Sequence, residues 1–342
     1  MAKRVTIKDI AKEVGVTPST VSCILNNKPL PFKDETVKEV KKVAREMGYT
    51  TNVFARGLVK GTTNTIGFLF MGNTEEPFSN PLVFKIVSQA LNALNRKDYS
   101  IFFSRSMHFD DPKDVEDHVH STFSSGRVDG VIIIGPPEHQ YHDILLKLKY
   151  DLPYVLVGRV EGTRRMNMVD VDNEQMGYCA ARHLAETGVE RIGYIANEIG
   201  GYQFQVDRDK GFRQALKDAG KDVDEELLVQ SRTDSSQSKE EKLIKSMIGK
   251  VDALYIWNVS VAQTLCQMVL EKKISIPGDF KVIIDEGMKD YLNTQIRFTS
   301  IEIDTKKIGV LAAELIDEKL QKGQDHFSQV FIEPILNIGE TT

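Results

Sequence analysis

Hydrophobic residues recur with two different periods along this chain, and the change of period divides it into two regions. Near the N-terminus, the spacing of Ile7, Ile10, Ala11 and Val14 predicts a short amphipathic helix. From Thr65 onward, short apolar runs alternate with helical stretches, as expected for a parallel sheet covered on both faces. The predicted strands are Ile66–Phe70, Ser100–Phe103, Val131–Ile134, Tyr154–Val157, Ile192–Ala196, Ala253–Trp257 and Val282–Ile284.

The N-terminal region predicts three helices around a miniature core. Gly15 ends the first helix, because a left-handed turn between helices favours glycine. Thr17 followed by Pro18 begins the second helix, with a hydroxyl at the cap and proline at the first helical position. A third helix, Asp34 to Met47, supplies an apolar face that closes the core. Helix, tight turn and helix at this size predict a motif that binds duplex DNA.

The charge distribution supports this interpretation. Residues 1–60 contain 12 Lys and Arg against 6 Asp and Glu, a net charge of +6. The remaining residues carry a net charge of −11, so the overall −5 hides a basic head on an acidic body. A basic head is the electrostatic signature of phosphate binding. We prefer this interpretation to the alternative that the head is a lysine-rich domain that is merely soluble.

The strands of the longer region recur in a repeated order. The run IGFLF at 66 is echoed by IGYIA at 192, DGVIIIG at 129 by DALYIWN at 252, and YVLVG at 154 by KVIID at 281. This repetition predicts two doubly wound subdomains with the same internal order. Such sheets bind ligands at the carboxyl ends of their strands, and two facing sheets form a cleft that closes by hinge motion.

Composition and missing motifs exclude several classes of protein. The chain has 342 residues, 41% of them hydrophobic and 27% charged, which suggests two or three ordinary globular domains. No signal core or membrane-length apolar run occurs, and three scattered cysteines form no paired framework, so we expect a cytoplasmic location without membrane association. Phosphate-cradling loops and nucleophile elbows are missing, and the histidines lack a metal-ligand cluster. We therefore expect no enzyme activity, no catalytic residue, no metal and no cofactor.

The residues resemble the lac repressor (LacI/GalR) family of transcriptional regulators along essentially the full length. The match is strong in the head and its following segment, and moderate in the body. It rests on TIKDIAKEVGVTPSTVSCILN, GYTTNVFARGLVKGTTNTIGFLF, NPLVFKIVSQAL, VDGVIII, VGR, VDVDN, RIGYI and RDKGFRQAL.

The resemblance implies that the second helix, Pro18 to Asn26, lies in the major groove of DNA. Pro18, Ser19 and Cys23 fall where the family places its base-reading side chains, although these residues offer little bidentate hydrogen bonding. A redox role for Cys23 is less favoured than a small contact residue. The remaining positions implied to contact DNA are Thr6, Thr17, Thr20, Ser22, Asn26, Tyr49, Asn52, Ala55, Arg56 and Leu58.

Residues Asn52 to Lys60 resemble the family's hinge helix, which enters the minor groove. Leu58 matches the leucine that wedges between base pairs there, at a cost of ~a few kcal/mol that a bent duplex repays. The alternative is that Leu58 is a linker residue packed on the core. The family works as a homodimer, so the resemblance implies a pseudo-palindromic double-stranded operator.

In the cleft, the resemblance implies effector contacts by Arg159, Arg208, Asn258 and Asp285. The alternative is that Arg208 and Asp285 simply pair with each other. Where the family often has an aromatic pair this chain has Leu82-Val83, so Phe78 or Trp257 would have to supply a stacking ring. Trp257 is equally compatible with a core position. The position after Asn258 departs from the family too, because Val259 stands where an aspartate is usual.

These observations predict a helix-turn-helix head at 1–49, a hinge and linker at 50–62, and an effector-binding and dimerisation core at 63–342. The N-subdomain is expected at 63–160 and 294–324, and the C-subdomain at 161–293 and 325–342. The predicted fold is α/β, an all-α head plus a periplasmic-binding-protein-like core of two parallel sheets. The predicted function is transcriptional regulation, most simply repression, controlled by a saccharide or sugar phosphate. A purine or a partner phosphoprotein is the alternative effector, and induction and corepression both remain open. The alternative class is a solute-binding or sugar-modifying protein with an incidental basic N-terminus.

Overall fold

A computed structural model describes residues 5–25, 32–49, 62–71, 78, 80–104, 112–124, 126–135, 139–146, 152–160, 166–199, 201–231, 236–285, 292, 295–323 and 326–342. The chain divides into two compact units, Met1–Thr63 and Asn64–Thr342.

The first unit contains the three helices that the sequence predicts. They are α1 (Ile7–Val14), α2 (Pro18–Leu25) and α3 (Asp34–Glu46). Thr6 and Asp9 form a capping box at the start of α1, and Gly15 ends it with φ of 73° in the left-handed region. Apolar side chains from all three helices, Ile10, Val21 and Val40 among them, are completely buried against one another.

The second unit alternates strands with helices. Its helices are α4 (Pro81–Asn95), α5 (Pro112–Ser124), α6 (His142–Leu146), α7 (Asn173–Glu186), α8 (Gln203–Asp218), α9 (Gln237–Met247), α10 (Val259–Leu270) and α11 (Thr305–Lys322). Its strands are β1 (Thr65–Phe70), β2 (Ser100–Phe103), β3 (Gly130–Ile134), β4 (Tyr154–Val157), β5 (Met168–Val171), β6 (Ile192–Ala196), β7 (Leu228–Gln230), β8 (Ala253–Ile256), β9 (Lys281–Asp285), β10 (Thr299–Glu302), β11 (Gln329–Ile332) and β12 (Ile335–Asn337). None of these helices, nor any other helix in the described ranges, is both long enough and apolar enough to span a bilayer.

The strands form two six-stranded sheets with the same order, which confirms the repeat that the sequence predicts. The first sheet has the order β2-β1-β3-β4-β5-β11, and the second has the order β7-β6-β8-β9-β10-β12. Every pairing between the described strands is parallel except that of β12 with β10. Central strands such as Gly130–Ile134 are buried along their whole length, as a sheet with both faces covered requires.

The predicted subdomain boundaries are wrong in three places. Met168–Val171 and Gln329–Ile332 pair with each other in the first sheet, although both were assigned to the C-subdomain. Thr299–Glu302 joins the second sheet, although it was assigned to the N-subdomain. The chain therefore passes between the sheets after β5, after β10 and after β11. Two of these crossings end in helix caps, because Asp172 accepts from Gln175 N at 2.9 Å and Asp304 accepts from Lys307 N at 2.8 Å.

Candidate functional site

A cavity of about 230 Å³ lies between the carboxyl ends of the first sheet and helix α8, which packs against α7 beside the second sheet. This is the position at which doubly wound sheets bind ligands. One part of its wall is aliphatic and comes from α4, the strand ends and the start of α11. The polar part comes from β5, α7 and α8. The lining residues are Asn80, Leu82, Val83, Ile86, Ile134, Gly135, Val157, Gly158, Asp170, Val171, Asn173, Phe204, Arg208, Ile303 and Ile308.

Arg208 and Asp285 form a buried ion pair beside this cavity. One oxygen of Asp285 accepts from Nη1 of Arg208, and the other accepts from the hydroxyl of Tyr255. Arg208 also donates Nε–H to Oδ1 of Asn173 at 3.0 Å, and its guanidinium lies 5.1 Å from the ring centroid of Phe204. Burial raises the pKa of Asp285, while Arg208 and the Tyr255 hydroxyl oppose that shift. The two residues that the sequence singles out are thus brought together as a pair, and only Arg208 lines the cavity.

Close packing of α7 on α8 holds this arrangement. Gly177 of α7 and Gly211 of α8 face the partner helix so closely that a Cβ at either position would overlap backbone of the other helix. Such contact is available only without a side chain. Asn173 lies one turn before Gly177, so this contact brings its amide to Arg208.

A second ion pair links the first sheet to helix α8. Arg159, which follows β4 of the first sheet, donates to Asp207 of α8 at 2.7 Å. Gln203 holds the other oxygen of Asp207 at 2.9 Å, and the Arg159 guanidinium lies 5.9 Å from the Phe331 ring centroid. Burial raises the pKa of Asp207, while Gln203 and Arg159 lower it. Arg159 is therefore placed at the cleft, but toward Asp207 rather than toward Arg208.

Asp170 is the charged residue that the sequence analysis missed. It stands near the end of β5, lines the cavity, and accepts a hydrogen bond from the N–H of Val171 at 2.8 Å. Burial raises the pKa of Asp170 to about 7, with Asp207 adding to the shift and Val171, Arg208 and Arg159 opposing it. Asp170 belongs to the run VDVDN, which carries part of the family resemblance but assigns no role to Asp170. A carboxylate inside an otherwise apolar strand is the signal that was available.

The structure places the other predicted effector residues away from the cavity wall. Asn258 is fully buried as the N-cap of α10, where Oδ1 accepts from Val261 N at 3.1 Å and Nδ2 donates to Ser231 O at 3.0 Å. Its predicted ligand contact would require breaking that cap. Trp257 is 2% exposed, with ring centroids of Tyr194 and Tyr255 at 4.6 and 4.7 Å. The core position is thus the one that Trp257 occupies.

The aromatic side chain at the cavity is Phe204, which sequence reasoning did not identify. Phe78, the predicted alternative, packs instead on Phe70 and Phe103, with ring centroids 5.2 and 5.7 Å away. Leu82 and Val83 do line the cavity, so the departure from an aromatic pair gives the wall its aliphatic character.

In the head, α2 buries Val21 and Ile24 and turns its other face outward. Pro18 and Ser19 are exposed on that face, together with the exposed Thr17 that precedes it. Thr20, Ser22, Cys23 and Tyr49 are half-buried, and Thr6 is exposed. The predicted positions Asn26, Asn52, Ala55, Arg56 and Leu58 lie outside the described residues.

Two threonines predicted to contact phosphate cap helices. Thr6 caps α1 by accepting from Asp9 N at 3.4 Å, and Oγ1 of Thr17 accepts from Thr20 N at 3.1 Å at the start of α2. Exposed helix N-termini present backbone N–H groups and a partial positive charge, which together suit phosphate binding. The Thr6 hydroxyl also donates to Asp9 at 2.7 Å, and the hydroxyls of Thr17 and Thr20 lie 2.9 Å apart, so a phosphate contact by either threonine would exchange these hydrogen bonds.

Comparison with known proteins identifies two domains. Residues 6–52 match the family described as bacterial regulatory proteins, lacI family, and residues 181–342 match a periplasmic binding protein-like domain. The chain is 26% identical to catabolite control protein A of Priestia megaterium over 93% of each chain. Among solved structures, a lac repressor dimer bound to operator matches with a TM-score of 0.83 at 19% identity, covering 99% of each chain. A transcriptional regulator CelR–cellobiose complex matches with a TM-score of 0.70 at 23% identity, covering 99% of this chain and 100% of the other.

Proposed function

We propose that this chain, which belongs to the lac repressor (LacI/GalR) family of DNA-binding transcriptional regulators, is a repressor controlled by a small hydroxyl-rich effector in the cleft. The observation that carries the proposal is the cavity beside the buried Arg208–Asp285 pair. Guanidinium, carboxylate and amide groups around an apolar pocket suit a sugar or sugar derivative. A regulator of similar fold forms a complex with cellobiose, which supports that class of effector.

The cleft provides a route from effector to DNA. An effector that touches both subdomains stabilises one relative arrangement of them, and the Arg159–Asp207 pair is one contact whose geometry would change with that arrangement. Two chains, acting as a homodimer on a pseudo-palindromic operator, would convert the change into altered spacing of their heads. A coupling of ~1–3 kcal/mol between the two sites is sufficient for regulation.

The test is an effector titration of the purified chain with a panel of mono- and disaccharides, sugar phosphates and purines. The single tryptophan serves as reporter, because Trp257 packs on Tyr255, whose hydroxyl donates to Asp285. We expect one sugar or sugar derivative to give a saturable fluorescence change. The same compound should alter affinity for selected DNA by roughly 5–150-fold. If no compound of the panel changed either the fluorescence or the thermal stability, the proposal would be contradicted.

DNA binding should depend steeply on salt concentration. If each dimer neutralises 6–10 phosphates, log K against log[salt] should fall with a slope of roughly −5 to −9. Replacing Lys12, exposed on α1 of the basic head, with glutamine should reduce the slope by about 1 if Lys12 contacts phosphate. Lys242→Gln, at an exposed position of α9 in the acidic body, is the matched control and should leave the slope unchanged. A flat salt dependence would be incompatible with DNA binding.

A further inference from the structure

The polar groups that line the cavity differ in how far they are already hydrogen-bonded. Asn173 accepts from Arg208 and donates to Val171 O at 3.1 Å, so both ends of its amide are occupied. Asn80 caps α4 by accepting from two backbone N–H groups, and Arg208 binds Asp285 and Asn173. Asp170 is different, because within the described part of the chain its only hydrogen-bond donor is the adjacent Val171 N–H, on Oδ1. Its Oδ2 is thus the acceptor that remains for a ligand.

The ion pairs around the cavity leave the negative charge of Asp170 unmatched. Arg208 is matched by Asp285, and Arg159 is matched by Asp207. Arg208, Asp207 and Arg159 are the charged groups that act on Asp170, and each of the two arginines already binds another carboxylate. The half-buried carboxylate of Asp170 forms no ion pair with any of the described residues, and in a poorly solvated site an unmatched charge is costly.

The rest of the wall determines the size and surface of an occupant. Leu82, Val83, Ile86, Ile303 and Ile308 give the cavity an aliphatic wall in addition to its polar groups. A volume of about 230 Å³ is below the ~300–1,000 Å³ that drug-sized ligands occupy, so a single ring is the natural occupant.

We propose that the effector is a small cyclic molecule carrying an ammonium group, such as an amino sugar, which binds Oδ2 of Asp170 while its less polar face contacts the aliphatic wall. This inference rests on the proposed function and narrows its ligand class. A neutral hydroxyl donates one hydrogen bond and leaves the charge of Asp170 uncompensated. A phosphate or carboxylate adds repulsion, because the arginines that would receive it are already paired.

Protonation of Asp170 gives this preference a pH signature. Because burial raises the pKa of Asp170 to about 7, an ammonium ligand must displace a proton from Asp170 at lower pH. Affinity for the amine should fall by up to about tenfold for each pH unit below 7. Binding of a neutral analogue should change little over the same range.

The experiment measures binding of matched triads to the full chain by calorimetry at pH 7 and pH 5. The triads are the amino sugar, the parent sugar and the 6-phosphate in the gluco, galacto and manno series. In at least one series the amine should bind at least about tenfold more tightly than the parent sugar, and the phosphate should bind most weakly. Asp170→Asn, which keeps the side-chain shape, should abolish the preference and its pH dependence.

Glu174→Gln is the matched control, because Glu174 pairs with Lys210 at the surface of α7 and does not line the cavity. It should keep the preference for the amine. Asp170→Asn should also raise the midpoint of thermal unfolding at pH 8, because it removes a half-buried charge that forms no ion pair with the described residues. A fall in that midpoint would assign Asp170 a structural role and overturn the inference.

The outcomes separate this inference from the proposed function. Tightest binding of a phosphate or a neutral sugar would overturn the ammonium assignment and leave effector control intact. Binding of no amine would overturn the assignment too. If no member of any triad and no compound of the wider panel bound, both the ammonium assignment and the proposed effector control would be overturned.

Discussion

Replacing Arg208 with alanine should lower the free energy of unfolding by about 3–5 kcal/mol at pH 8 and abolish the effector response. The substitution leaves the carboxylate of Asp285 buried, and among the described residues only the Tyr255 hydroxyl remains as its hydrogen-bond partner. It also removes the donor to Asn173 and the cation that packs on Phe204. Urea denaturation followed by circular dichroism measures the loss of stability.

The loss of unfolding free energy caused by Arg208→Ala should depend on pH in a defined direction. The folded-state pKa of Asp285 already lies above its ordinary value of 3.8 because of burial, and removal of Arg208 raises it further. The folded variant then holds a proton that the unfolded chain releases. Its stability is present at low pH and is lost as the pH rises through the raised pKa. The deficit relative to the parent protein should therefore be smaller at pH 5 than at pH 8.

Two further variants make the result specific. Arg213→Ala, on the same helix, removes a partly exposed pair with Asp209 and Glu225 and should cost less than about 1 kcal/mol. Adding Asp285→Asn to Arg208→Ala should recover part of the lost stability, because no buried charge remains. Equal losses for Arg208→Ala and Arg213→Ala, or no recovery in the double variant, would contradict the buried-pair account.

The sequence predicts the central strands and one edge strand, Ser100–Phe103, and misses the other edge strands together with β5 and β10, for a physical reason. Gly130–Ile134 is buried on both faces, so its sequence is continuously apolar. Leu228–Gln230 and Ile335–Asn337 are edge strands of three residues with mixed exposure, and their composition does not distinguish them from loops. Met168–Val171 was missed because Asp170 interrupts its apolar run. Because that strand was missed, the first subdomain boundary was placed at 160 rather than after β5.

The residues of the candidate site likewise differ in how far the sequence could identify them. Arg208 and Asp285 were identifiable through the family resemblance, which assigns a ligand contact to each of these positions. Asp170 and Phe204 become neighbours only because the chain crosses from β5 to α7 and α8 packs on α7. No local periodicity encodes that proximity. Asn258 shows the converse, since a polar residue after a strand is also what a helix cap requires.

Replacing Gly211 with alanine should destabilise the second unit by about 3 kcal/mol or more and weaken effector binding. The expected sign is opposite to helix propensity, because alanine at a helix interior is favoured over glycine by up to ~1 kcal/mol. The reason is steric: the new Cβ would overlap the carbonyl of Glu174 in α7. No rotamer change relieves that overlap, so α7 and α8 must move apart.

Separation of α7 and α8 would also change the geometry of the candidate site. Asn173 and Gly177 lie on α7, and Arg208 and Gly211 lie on α8, so the Asn173–Arg208 hydrogen bond of 3.0 Å lengthens as the helices part. Gly177→Ala, which would overlap the carbonyl of Arg208 itself, should reproduce the effect from the other helix. Urea denaturation and effector calorimetry measure the two consequences on the same preparations.

Gly201→Ala provides the matched control, because a Cβ there meets no atom within 4 Å and its backbone does not require a positive φ. It should change stability by less than about 0.5 kcal/mol, as ordinary surface substitutions do. If Gly211→Ala were as mild as Gly201→Ala, the helices would not be held by backbone contact, and the geometry of Arg208 would need another cause. If it lowered stability but left effector affinity unchanged, Asn173 would be irrelevant to the ligand. Loss of both together, from either helix, would mean that two glycines set the position of the charged group in the cleft.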